Sequence, residues 1–211
     1  MQKYARLIRR LVPIGVVAAV LLAVSSGCGG SDKSSTPSGG YSLPSPTPTT
    51  TTSTGGIDPL EGAATTPVER AANGSEIALL DRIAVGRHEG YDRVVFEFKN
   101  VLPGYKVTYA NEPLKEDGSG KPVDVKGAAV VVVRMEPASG FDLNTGEGVM
   151  TYKGPRRIDG SGAGTSVVQE LVRTGDFEAV LSWAIGLSGK VDFLVRTATS
   201  PPRLIVDFRN H

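Results

Sequence analysis

The chain has 211 residues, with 23 Lys and Arg against 22 Asp and Glu, and a single cysteine. One cysteine excludes an intrachain disulfide and any multi-thiolate metal cluster as a source of stability. Without the first 27 residues, which hold four basic groups and no acidic one, the remainder carries 19 basic against 22 acidic groups, a poor electrostatic match to nucleic acid. At the N-terminus, Lys3, Arg6, Arg9 and Arg10 precede an apolar run from Leu11 to Val24, followed by Ser25, Ser26, Gly27 and Cys28. A membrane-spanning helix needs about 20 apolar residues, so this shorter run reads as the core of a cleaved signal covering residues 1–27, with an uncleaved signal anchor as the alternative.

The small residues before Cys28 resemble the lipobox of bacterial lipoproteins, with Ser25 where that pattern most often has Leu. The resemblance implies that Cys28 carries acyl chains such as palmitate and becomes the first residue of the mature protein. The expected location is then the extracytoplasmic face of the cell membrane, the membrane itself being a partner through the acylated cysteine. Two or more chains are needed for firm anchoring, which suits a multiply acylated cysteine.

Residues 28–75 form the next unit. Ser31 to Gly56 is almost entirely Ser, Thr, Pro and Gly, a composition that cannot bury enough apolar surface to offset the entropy of ordering. It reads as a disordered tether, stiffened locally by Pro44, Pro46 and Pro48. Ile57 to Ser75 shows little periodicity, which places the start of the folded domain near Glu76 and its span at 76–211.

Past Glu76 the apolar period is two. In Arg93-Val-Val-Phe-Glu-Phe98, Val94, Phe96 and Phe98 share one face, and Arg93, Val95 and Glu97 the other. Ile77 to Val85, Tyr105 to Ala110, Ala128 to Met135, Val191 to Thr197 and Leu204 to Phe208 read as strands too, separated by Pro and Gly turn signals. In Val167 to Leu187, the first part suits either a strand or a short helix over 167–174. Phe177, Ala179, Leu181, Trp183 and Ile185 alternate as one strand with Trp183 in the core. Gly160-Ser-Gly-Ala-Gly164 lacks the Lys-Ser/Thr of a phosphate loop and reads as a flexible loop. The fold class is all-β: a two-sheet β-sandwich of roughly eight or more short strands, preceded by the tether.

Arg93-Val-Val-Phe-Glu-Phe98 and Arg203-Leu-Ile-Val-Asp-Phe208 repeat one order of residue types. Within either strand the arginine and the acid are about 13 Å apart, too far to touch. Paired antiparallel with Val95 opposite Ile205, however, the strands would set Arg93 against Asp207 and Glu97 against Arg203.

Four stretches are similar to the AMIN-like domain of actinobacterial lipoproteins, a relative of the AMIN module of exported cell-wall amidases. They are Val85-Gly-Arg-His-Glu-Gly-Tyr-Asp-Arg-Val-Val-Phe-Glu-Phe98, Pro103-Gly-Tyr105, Asp176-Phe-Glu-Ala-Val-Leu-Ser-Trp-Ala-Ile-Gly186 and Pro202-Arg-Leu-Ile-Val-Asp-Phe208. The resemblance implies a β-sandwich with no reaction of its own, facing the wall and binding peptidoglycan or an envelope protein.

Three functions are then weighed: a wall-facing binding or scaffolding lipoprotein, a carrier of lipid or another small hydrophobe, and a carboxylate-based wall hydrolase. The carrier needs a hollow interior lined with apolar side chains. For the hydrolase, Glu89, Asp92, Glu97, Asp142, Glu147, Asp176 and Glu178 are the available acids, and nothing in their sequence setting distinguishes any of them. His88 and His211 are the only histidines and lack the short spacing of a zinc pair, so neither metal nor cofactor is expected. The residues favoured for ligand contact are His88, Tyr91 and Arg93, joined by Tyr105 and Tyr152 if the loops converge. Tyrosine offers a stacking face for sugar rings and arginine a fork for carboxylates.

Overall fold

The computed structural model describes residues 58–111, 113–145 and 148–211. The signal segment, Cys28, the tether as far as Ile57, and Glu147 lie outside the described residues. Among the described residues thirteen strands run in chain order: β1 (Val68–Arg70), β2 (Ala78–His88), β3 (Tyr91–Phe98), β4 (Gly104–Tyr109), β5 (Ala129–Glu136), β6 (Ala138–Ser139), β7 (Phe141–Asp142), β8 (Val149–Met150), β9 (Arg157–Asp159), β10 (Val168–Phe177), β11 (Val180–Leu187), β12 (Phe193–Thr199) and β13 (Pro202–Arg209). A six-stranded sheet has the order β1-β4-β5-β11-β10-β9, a five-stranded sheet the order β12-β13-β3-β2-β6, and β7 and β8 form a separate ribbon.

The period-two code sorts side chains between the layers. Val94, Phe96, Phe98, Leu204, Val206 and Phe208 of the five-stranded sheet meet Val131, Val133, Leu171, Leu181, Trp183 and Ile185 of the six-stranded one in a single buried cluster. Trp183 packs 6.3 Å from Phe96 and edge-on at 5.7 Å to Tyr152, an arrangement aromatic pairs favour. Large rings fill the interior, since Phe96, Phe98, Trp183, Phe193 and Phe208 are all fully buried.

The all-β sandwich of the sequence reading is what folds, with three differences of detail. First, ordered structure begins before Glu76: Leu60 is buried, Ala64 bridges Phe193, and β1 pairs with β4. The anchors Leu60, Ala64 and Val68 are four residues apart with Gly62 and Thr66 at the positions between, so the alternation of a strand does not show. Second, residues 168–177 form a strand and no helix, because β9 and β11 pair with it on both sides. Third, Phe177 and Ile185 do not share a strand. The chain reverses at Glu178 and Ala179, whose φ angles of 51° and 58° make a two-residue hairpin loop, and Phe177 is left exposed. Both loop positions need left-handed backbone, which Asn-Gly usually supplies and Glu-Ala does not signal. The hydrogen bond from Ala138 N–H to Ala179 O helps hold the reversal. The segment Gly160–Gly164 is a loop containing a short 3-10 turn at Ser161–Ala163.

The two outer faces of the sandwich differ. Segment 113–128 lies across the six-stranded sheet, with Asp117 N–H bonded to Thr174 O and Lys126 N–H to the Glu170 carboxylate at 3.1 Å. Gly175 and Gly186 let this strap approach, since a β-carbon there would lie 2.1 Å from Asp117 and 1.8 Å from Lys126 O. Thr174, Ser182 and Ala184 are buried beneath it. Among the described residues no comparable strap crosses the outer side of the five-stranded sheet; the chain at 58–60 meets one end of it, where Arg196 donates to Pro59 O and Arg209 to the Asp58 carboxylate.

Candidate ligand-binding face

The open face is built by register. On β13, Arg203, Ile205, Asp207 and Arg209 lie opposite Glu97, Val95, Arg93 and Tyr91 of β3. On the other flank of β3, β2 places Arg82, Ala84, Gly86 and His88 opposite Glu97, Val95, Arg93 and Tyr91. Strand β12 adds Arg196 opposite Ile205. The result is a shallow floor of Ala84, Gly86, Val95 and Ile205 between two rows of charge.

Each row centres on one carboxylate held by two arginines. Arg93 donates Nε to Asp207 Oδ1 at 2.6 Å and Nη2 to Oδ2 at 2.9 Å, and Arg196 Nη1 donates to Oδ2 at 3.0 Å. In the second row, Arg203 Nε donates to Glu97 Oε2 at 2.7 Å, and Arg82 Nη2 to Oε1 at 3.1 Å. Hydrogen bonding from Arg203, partly opposed by burial and reinforced by Arg82, holds the Glu97 carboxyl below its ordinary range. The bond to Asp207 raises Arg93 above its ordinary value, against burial, which acts the other way. Four guanidiniums against two carboxylates leave this face with a positive excess. Arg82 is 63% exposed, so its outer N–H groups remain open to solvent.

His88, Tyr91 and Arg93 come together as a stack at one end of the face. The His88 and Tyr91 rings lie 4.8 Å apart and nearly parallel, and the Arg93 guanidinium sits 5.0 Å from the Tyr91 ring centre. The close β2–β3 turn at Glu89-Gly90, with Gly90 at φ 83°, sets His88 directly opposite Tyr91. Tyr105 and Tyr152 do not join them. Tyr105 belongs to β4 in the other sheet, and Tyr152 is buried against Trp183 with its hydroxyl donated to Pro155 O. Arg82 and Arg196 were missed in the sequence. A bulge between Leu80 and Arg82 breaks the alternation in β2, and Arg196 becomes relevant only through its neighbour β13.

The acids considered for hydrolysis have other engagements. Asp92 Oδ2 accepts from the backbone N–H groups of Ser166, Val167 and Val168, and its Oδ1 from Asn210. Asp176 accepts from Ser139 Oγ and Gly140 N–H, Asp142 from Asn144 N–H, and Glu97 lies between its two arginines. Glu89 and Glu178 occupy the turns of two separate hairpins, β2–β3 and β10–β11. Among the described residues, no group of three or more His, Cys, Asp or Glu side chains is placed to hold a metal ion.

The described chain is thus a two-sheet sandwich with a strap on one outer face and an arginine-rich sheet surface on the other. The model of the AMIN-like domain family matches residues 78–210, and the chain belongs to that family. Membership puts it among cell-wall-related domains that are generally non-catalytic binding modules. Comparison with curated proteins and with solved structures returned no match.

Proposed function

We propose that the chain is a lipid-anchored envelope protein whose AMIN-like domain binds peptidoglycan through the open face of the five-stranded sheet. The observation that carries this reading is the asymmetry of the two outer faces. One is closed by segment 113–128, while the other exposes the His88–Tyr91–Arg93 stack beside Arg82, Arg196 and Arg203. An aromatic ring supplies a platform for sugars, and guanidiniums on a shallow floor suit the carboxylates of wall glycopeptides. No reaction is assigned to the face, because its carboxylates serve as counter-ions to arginine. Acylated Cys28 holds the protein at the extracytoplasmic side of the membrane, and the tether lets the domain reach the wall. A random coil of about 45 residues averages on the order of 35 to 40 Å end to end.

The test is co-sedimentation of the full chain, purified in detergent, with isolated peptidoglycan. Retention that persists at moderate salt is expected; loss of all retention, with lipid co-purifying instead, would replace this reading with the carrier. Mass spectrometry of the membrane-extracted protein should find acyl chains on Cys28, and Cys28→Ala should release the protein from membranes.

A further inference from the structure

A second site lies at the corner where the sheets part. Edge strand β1 of the six-stranded sheet and edge strand β12 of the five-stranded sheet diverge there, and the β3–β4 connection closes the bottom. The cleft encloses about 310 Å³, with Leu102, Tyr105 and Pro202 as apolar lining and Arg70, Asn73 and Thr199 as polar lining. That volume falls at the small end of ligand sites.

Arg70 is the unusual member. Of the eleven described arginines, only Arg70 and Arg87 have no carboxylate within salt-bridge distance. The acids nearest to Arg70 along the sheet are already engaged, Glu69 by Lys106 and Glu136 by Arg134. Its one hydrogen bond is a long one across the cleft, from Nη1 to Thr197 Oγ1 at 3.4 Å. The side chains of Asn73 and Thr199 make no hydrogen bond within the described chain. An uncompensated guanidinium, an apolar wall with one aromatic ring, and two unused polar groups thus converge on one concavity.

We propose that this cleft binds the free C-terminal carboxylate of a short peptide. Arg70 takes the carboxylate in its fork. Leu102, Pro202 and the Tyr105 ring cover small apolar side chains, and Asn73 and Thr199 pair with peptide amides. An acidic sugar offers the same charge but would set hydroxyls against Leu102, Pro202 and the Tyr105 ring, where a small apolar side chain fits better. The cleft is separate from the open sheet face, and its assignment does not depend on the wall-binding reading.

The test is an NMR titration of the full chain in detergent with N-acetyl-alanyl-alanine, its C-terminal amide, and glucuronate. Shifts should concentrate at Arg70, Tyr105 and Thr199, with the amide and glucuronate each binding at least about tenfold more weakly than the acid, a difference of about 1.4 kcal/mol. Arg70→Gln should produce the same tenfold loss while leaving Trp183 fluorescence and peptidoglycan retention unchanged. Thr199→Val should weaken binding by a smaller factor. Equal binding of acid and amide, equal binding of glucuronate, or shifts elsewhere would overturn the proposal.

Discussion

Asp207 is wholly removed from solvent, yet Arg93 clasps it with two hydrogen bonds, one of them 2.6 Å long, from a guanidinium that still reaches the surface. That unequal burial decides how the pair responds to mutation. Deleting an arginine leaves the carboxylate with its second cation, Arg196. Deleting the carboxylate removes all three charge-assisted hydrogen bonds at once, whereas deleting Arg196 removes one.

Asp207→Ala is therefore expected to cost about 2 to 3 kcal/mol, the scale of lost charge-assisted hydrogen bonds, and Arg196→Ala under about 1 kcal/mol. Urea denaturation followed by fluorescence of Trp183, the only tryptophan, measures both. Equal costs for the two substitutions would contradict the unequal burial.

Asp92 should prove more sensitive. Its side chain is buried, and one oxygen receives the N–H groups of three successive residues that lead into β10. Asp92→Ala strands these donors at about 1 to 3 kcal/mol each before relaxation, so a total loss of at least about 3 kcal/mol is expected. Amide exchange at residues 166–168 should accelerate more than exchange in β3.

Glu97 gives the domain a pH dependence of known sign. Its carboxyl is held below its ordinary value in the folded state, so its contribution is complete above the unfolded pKa and fades as pH falls through the lower folded value. Glu97→Gln should flatten the acid limb of the stability profile below about pH 4.5 and leave its slope near pH 7 unchanged. A wild-type slope persisting in the variant would assign the acid sensitivity to other carboxyls.

A chain starting at residue 76 should be much weaker than one starting at residue 53. It lacks Leu60, the Ala64–Phe193 bridge and β1, and exposes the edge of β4. Burial of Leu60 alone is worth about 1.5 to 3 kcal/mol. Thermal melts of the two chains should differ by several degrees.

For the proposed wall contact, Tyr91→Ala and Arg203→Ala should each reduce peptidoglycan retention about five- to thirtyfold, with Arg203→Ala also shifting the salt dependence. Substitutions on segment 113–128, such as Lys121→Ala, should leave retention intact. The reverse pattern would move the binding surface to the roofed side.

How much of this was legible depended on whether a residue's role is local. The alternation in Arg93 to Phe98 declares an inner and an outer face without reference to any other strand, and so does that in Arg203 to Phe208. Their matched order of arginine and acid also pointed to an antiparallel register, because complementary charges on repeating strands have few ways to meet. The reversal at Glu178-Ala179 was hidden, since its left-handed backbone falls on residue types that do not signal it, and the bond from Ala138 N–H to Ala179 O comes from a strand well before it in the chain. The anchors Leu60, Ala64 and Val68 were hidden for a related reason: Gly62 and Thr66 stand between them, so no strand alternation shows, and Ala64 and Val68 find their partners, Phe193 and Val107, far along the chain.

The candidate face divides the same way. Composition and motif singled out His88, Tyr91 and Arg93, which a two-residue turn and one pair of neighbouring strands bring together. Arg82 joins the face through a bulge in β2, Arg196 through the pairing of β12 with β13, and the cleft around Arg70 through two strands distant in the chain, information that no window of sequence contains. The amino-acid order alone determined that the chain makes strands, which side of each is apolar, and that no disulfide holds them. Only the folded packing decided which outer face is roofed and which stays open, because that depends on where a polar loop lands and on two glycines, Gly175 and Gly186, that leave it room.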